Sequence, residues 1–123
     1  MSVSKFEIKT YKVTFRHMKR DNHVVASILL GLGTAKAHVG FIDDEYYDKN
    51  RESYVLQRQG DGNGEYYFNV WFEYSKYSDI VNLLRYEKPV YFLFNDSSPD
   101  PSEYSACIYT GDEPVGEEEN GGR

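Results

Sequence analysis

Residues 64–95, GEYYFNVWFEYSKYSDIVNLLRYEKPVYFLFN, change period half-way along and so decide the fold class. Tyr66, Phe68, Val70, Phe72 and Tyr74 alternate, as one face of a strand must, because side-chain direction in a strand repeats every second residue. From Ser75 the repeat lengthens. Tyr77, Ile80, Val81 and Leu84 stand at i, i+3, i+4 and i+7, the apolar stripe of a helix. Ser75 reads as its N-cap, Asp79 places a negative charge near the start, and Arg85 and Lys88 place positive charge at the end. Pro89 stops the helix, since it lacks an N–H and disfavours helical geometry in the residue before it. Val90 to Phe94 is an apolar run long enough only for a strand.

Strand patterns dominate the rest of the chain. Lys5 to His17 reads as one long strand with a change of phase. Phe6, Ile8 and Thr10 share one face, whereas Tyr11, Val13 and Phe15 share the other, and a β-bulge near Thr10-Tyr11 would reconcile the two. Val24 to Leu30 is apolar on both sides and reads as a central strand covered on both faces. Gly31-Leu32-Gly33 turns the chain, and Ala35, Ala37, Val39 and Phe41 alternate with polar neighbours in a third strand. The competing reading of 24–37 is a helix, against which stand two glycines and a β-branched start. Asp43 to Glu52 reads as a charged loop. Ser53 to Gln59 and Glu65 to Tyr74 read as strands joined by Gly60-Asp61-Gly62-Asn63-Gly64, whose residues tolerate positive φ. Asn95 to Ser102 is a loop and Tyr104 to Thr110 the last strand. The expected fold is α+β: mainly antiparallel strands forming a curved sheet or a partly closed, OB-like barrel, with one helix before the last two strands.

The 123 residues fit a single domain over 1–110, followed from Gly111 by a Gly-, Glu- and Pro-rich acidic tail, 111–123, expected to be disordered. The lone Cys107 permits no intrachain disulfide and fits a reducing compartment. With no apolar leader and no run near the roughly 18 apolar residues of a membrane span, the expected setting is soluble and cytoplasmic.

The net charge of −6 conceals an asymmetry. Lys5, Lys9, Lys12, Arg16, Lys19 and Arg20 stand against Glu7 and Asp21 at the start, and Asp112, Glu113, Glu117, Glu118 and Glu119 stand against Arg123 at the end.

Motifs with chemical content are weak. Gly31-Leu32-Gly33-Thr34-Ala35-Lys36 lacks the glycine and Lys-Ser/Thr spacing of phosphate-binding loops, and Asp61-Gly62-Asn63-Gly64-Glu65 lacks the sixth-position Gly and twelfth-position Glu of a calcium loop. Asp43, Asp44, Glu45 and Asp48 are dense carboxylates interrupted by Lys49 and Arg51, which favours a solvated charge run over a metal site. His17, His23 and His38 have no partner at a recognised metal spacing. No catalytic constellation, metal site or cofactor can be assembled, so the reading leans away from an enzyme.

What remains is binding. The 12 Tyr and single Trp are residue types that anchor interfaces, as is Arg. The first reading is a small non-enzymatic module that binds a protein partner through a Tyr-rich strand face or the basic first hairpin. Its candidate contacts are Tyr11, Arg16, Arg20, Tyr67 and Trp71, with Tyr67 and Trp71 on the face opposite Phe68, Val70 and Phe72 and therefore pointing outward. The alternatives are an OB-like single-stranded nucleic-acid binder, stacking bases on Phe68, Trp71 and Phe72 and regulated by the acidic tail, and a barrel pocket for a small molecule. Exposed sheet edges allow a homodimer. No membrane partner is expected.

Overall fold

The computed structural model describes residues 3–15, 23–60 and 66–111. Eight strands run in the order β1 (Val3–Glu7), β2 (Thr10–Phe15), β3 (Val24–Gly31), β4 (Ala35–Ile42), β5 (Gln57–Gly60), β6 (Tyr66–Glu73), β7 (Val90–Asn95) and β8 (Ser105–Thr110). A short helix α1 (Asp44–Lys49) follows β4, and the main helix α2 (Tyr77–Tyr86) precedes the last two strands. The strands form a three-stranded sheet, β1-β7-β8, and a five-stranded sheet, β2-β3-β4-β6-β5. All pairs are antiparallel except β4–β6.

The architecture is α+β with mainly antiparallel strands, as the periodicities imply. The described strands do not close into a barrel, so the OB-like reading gains no support from the pairing. Residues 24–37 are strands, and Gly33 carries the tight turn between β3 and β4 with φ of 85°, a conformation that side chains with a Cβ rarely adopt.

The first predicted strand is corrected. It is not one bulged strand but two, in different sheets. The Ile8 N–H donates to the Val90 carbonyl of the three-stranded sheet at 2.8 Å, and the Lys9 N–H donates to the Gly31 carbonyl of the five-stranded sheet at 2.8 Å. The phase change therefore marks a corner where the chain passes from one layer to the other. Three further expectations change. Asp43 to Glu52 is not a loop: it holds α1 and a 3-10 turn at Arg51–Ser53. The strand expected from Ser53 begins only at Gln57. Ser75 does not cap α2: it lies in a 3-10 turn, Tyr74–Lys76, that runs into the helix, and Lys76 at the N-cap position makes no side-chain cap bond. The loop at 61–65, the first hairpin tip at 16–22 and the tail at 112–123 lie outside the described residues.

The core forms where the inner faces meet. Ile28, Leu30, Ala37, Val39, Phe41, Phe68 and Val70 of the large sheet are fully buried, as are Phe92 and Phe94 of the small one. Phe68 is the hub: its ring centroid lies 5.7 Å from Phe6, 5.3 Å from Phe92 and 5.0 Å from Phe94. Helix α2 covers the remainder through Ile80, with Val81, Leu84 and Tyr77 packed against the cluster. The Tyr77 ring stands edge-on to Phe41 at 5.1 Å. At the margin, Arg58 of β5 pairs with Asp96, just past β7, at 2.8 Å and so fastens one sheet to the other.

Replacing Phe68 with Ala should cost about 3–5 kcal/mol, the range for large-to-small changes in well-packed cores, read from the midpoint of a urea unfolding curve. Asp96→Ala should cost about 3 kcal/mol, because Asp96 is only 6% exposed and its loss leaves Arg58 unpaired. By contrast, removing Lys9 from its exposed pair with Glu7 should change stability by less than about 0.5 kcal/mol.

Candidate functional site

The cross-strand register sorts the outer face of the five-stranded sheet into rows. One row reads Thr10, Gly31, Lys36, Tyr67, Gln59, and the next reads Lys12, Leu29, His38, Asn69, Gln57. Beyond them come Thr14, Ser27, Gly40 and Trp71, and then Val24, Ile42 and Glu73. These rows follow from the two-residue period alone, since residues paired across strands point to the same side.

Two of the rows are covered. Joining parallel strands β4 and β6 demands a crossover, and here it carries α1, the 3-10 turn, Tyr54 and β5. An aromatic group from this crossover lies over the end of the sheet. Tyr54 packs on Trp71 at 5.6 Å, Tyr47 on Tyr54 at 5.7 Å, and His23 stacks on Tyr46 at 3.5 Å. The Trp71 ring lies across Gly40, where a Cβ would collide with it, so the glycine is what lets the indole lie flat on the sheet. Ile42 beneath this cover is fully buried. Burial also pushes the Tyr54 hydroxyl above the ordinary tyrosine value, with a smaller contribution from Tyr46.

Three carboxylates at the start of the crossover have structural roles. Asp43 caps α1 by accepting from the Tyr46 N–H at 3.1 Å, Asp48 pairs with Arg51 at 2.9 Å, and Asp44 accepts from the Ser75 N–H at 2.9 Å. Among the described residues, no group of three or more His, Cys, Asp or Glu side chains could hold a metal ion. Below the crossover runs a groove of about 600 Å³ in which Arg51 and Lys76 stand beside Glu52 and Glu73, so neither sign of charge prevails. Cys107 is an exposed thiol on β8, near Phe72 and Lys76. Residual desolvation raises its pKa, the opposite of what an activated thiol needs.

The other two rows are open. Lys12, Lys36, Gln57 and Gln59 are exposed around the half-buried Leu29, His38 and Asn69, and Tyr67 is 36% exposed. No acidic side chain stands in either row, and neither Lys12 nor Lys36 has an ion-pair partner among the described residues. In a chain of net charge −6, this is a segregated cationic surface with one tyrosine and an apolar centre.

Of the five candidate contacts, the three that are described lie in different surroundings. Tyr67 points outward on the open face, as expected. Tyr11 lies on the core side of β2 and is 38% exposed, as its place on an edge strand allows. Trp71 is on the outer face but is half-buried between Gly40, Tyr54 and His38, so it is a packing residue. Arg16 and Arg20 lie outside the described residues. Phe68 is buried, so the stacking platform proposed for nucleic acid loses its central ring. The sequence reading missed Lys36, Gln57, Gln59 and Asn69. Each was legible as a polar position in an alternating strand, but only the register sets them side by side. Among the described residues, no helix is long and apolar enough to cross a membrane. Comparison with protein-family models, curated proteins and solved structures found no match to this chain.

Two tests follow from the covered half. Trp71→Ala should destabilise the fold by about 2 kcal/mol, less than a fully buried ring but far more than a free surface residue, measured by thermal or chemical unfolding. The hydrogen bond from Ser75 holds the Asp44 carboxyl below its ordinary value of 3.8. The tie between α1 and the start of α2 is therefore complete above pH 3.8 and is lost as pH falls through the lowered value. The Ser75 amide resonance should titrate only below that pH, and not at all in Asp44→Asn.

Proposed function

We propose that this chain is a non-enzymatic interaction module that presents the open half of its five-stranded sheet to an acidic surface on a protein partner. The observation that carries the reading is the pair of lysines, Lys12 and Lys36, without an ion-pair partner among the described residues, flanking Leu29, His38 and Tyr67 in two rows whose members include no acidic side chain. An apolar, tyrosine-bearing centre with a polar rim has the composition of a protein interface. Opposite charge on the partner would steer encounter and fix orientation more than it would add affinity. Two edges of the large sheet, β2 and β5, border the same face, which suits a partner that also adds backbone hydrogen bonds.

The single-strand reading shares the cations but draws less support, because its proposed stacking residue Phe68 belongs to the core. A ligand pocket inside a barrel draws none from the described strands, which form two separate sheets.

The test is affinity capture with the full chain, comparing wild type with the double charge reversal Lys12→Glu/Lys36→Glu and with Tyr67→Ala. A protein bound by wild type at low salt should be lost with the double reversal, and its binding should weaken as salt screens the exposed charges. The double reversal alters exposed side chains only, so its unfolding midpoint should stay within about 3 °C of wild type. Identical capture by all three proteins would overturn the assignment of this face. Salt-sensitive binding of a labelled single-stranded oligonucleotide, lost on the same reversal, would replace the protein partner by nucleic acid.

A further inference from the structure

β2 is an edge strand with exposed aromatic side chains. Among the described residues it pairs with β3 alone. The direction of its backbone groups follows from the next hairpin. The Leu32 N–H donates to the Ala35 carbonyl at 2.9 Å, and the register then pairs Leu30 with Ala37 and Ile28 with Val39. Backbone groups along an antiparallel strand turn alternately to one neighbour and to the other. Leu30 and Ile28 therefore face β4, whereas Leu29 and Ser27 face β2, where they meet Lys12 and Thr14. The donation from Lys9 to the Gly31 carbonyl fits the same alternation. The N–H and C=O groups of Tyr11, Val13 and Phe15 are thus directed to the open edge. Their side chains lie on the core side, yet Phe15 is 63% exposed and Tyr11 38%. The other edge strand of this sheet, β5, reads Gln-Arg-Gln-Gly and offers no apolar side chain.

The geometry points to a second copy of this chain as the occupant of that edge, in a two-fold dimer that pairs β2 with β2 antiparallel and sets Val13 on the axis. An unpaired edge is a ready template for such addition, and a two-fold interface must be complementary to itself. This one is. With Val13 opposite Val13, Tyr11 of each copy stands opposite Phe15 of the other, and the outward backbone groups of all three residues meet partners. Aromatic cross-strand pairs of this kind stabilise antiparallel sheets. Charge selects the register. Lys12 is the one charged residue of β2; it stands opposite Thr14 of the second copy, and the two lysines are only diagonal neighbours. Matching of the backbone groups permits shifts of two residues alone. One such shift sets Lys12 opposite Lys12, where like charges destabilise. The other leaves Tyr11 opposite no residue of the second β2. The axis stands perpendicular to the sheet, so the two five-stranded sheets become one continuous sheet with both open halves facing the same way. The dimer stands without the binding reading proposed above; its effect on that reading is to present Lys12, Lys36 and Tyr67 twice on one surface.

Sedimentation equilibrium of the full chain, from micromolar to about 0.5 mM so that a small interface is still detected, reads the association directly. The mean mass should rise with concentration from the 14.3 kDa of one chain towards twice that value. Thr14→Glu sets a carboxylate opposite Lys12 at two symmetric positions and should tighten the dimer about fivefold. Thr14→Lys sets like charges at the same two positions and should weaken it by a similar factor. Thr14 is exposed, so neither change reaches the core. Val13→Pro removes the two N–H donors at the axis, which face the open edge in the single chain, and should abolish the dimer; proline is tolerated at such edge positions. Should Val13→Pro lose its cooperative unfolding transition, the Thr14 variants still decide. A single-chain mass across the whole concentration range overturns the inference. Weakening by both Thr14 variants, or indifference to both, overturns the register centred on Val13. A dimer that is also indifferent to a folded Val13→Pro overturns the choice of edge.

Discussion

Everything in this fold depends on covering the inner face of the five-stranded sheet, and Phe68 is where that requirement is most concentrated. Its ring meets Phe6 of β1 and Phe92 and Phe94 of β7, so one side chain joins both sheets. The small sheet is too narrow to cover the large one alone, and α2 fills the remaining width with Ile80, Val81 and Leu84. The cover is thus composite. Its parts come from both ends of the sequence, which is why the first strand must turn a corner at Ile8 and Lys9 to serve both layers.

The outer face has a different logic. A parallel pair, β4 with β6, requires a connection that leaves the sheet and returns to the same end. That connection buries Ile42 and holds Trp71 down over Gly40, but it is too short to cover the whole face. Its Asp43, Asp44 and Asp48 go into caps and a pair at the covered end. The consequence is a division of labour on one surface. Half is packed with aromatic rings and has carboxylates tied to backbone N–H groups; half is open and carries lysines. Electrostatic contrast of this kind comes from topology, since no single segment of the chain is strongly basic in the described part.

Much of this was legible in the sequence because it depends on local period. The alternation in 66–74, the helical stripe from Tyr77 to Leu84, the turn at Gly33 and the strand character of 24–42 each follow from side-chain direction and glycine chemistry. The same period put Phe68 and Val70 inside and Tyr67 outside. The failures have a common physical cause. A phase change within 5–15 looks the same whether a bulge or a change of sheet produces it. Ser75 has a good capping side chain, yet the distant Asp44 takes its N–H at 2.9 Å and the helix begins two residues later. Trp71 points away from the core, as its position requires, but outward was not exposed once the crossover was laid over it.

The sequence by itself determined the element types, the inner and outer faces of each strand and the opposing charge of the two ends, because these are properties of neighbours along the chain. Which outer-face residues become a surface was decided only by the tertiary structure. The order β2-β3-β4-β6-β5 brings Lys12, Lys36 and Tyr67 together, and the crossover removes Trp71 from their company. Strand pairing joins residues that are distant in sequence, and burial of the common hydrophobic face, not local preference, selects that pairing.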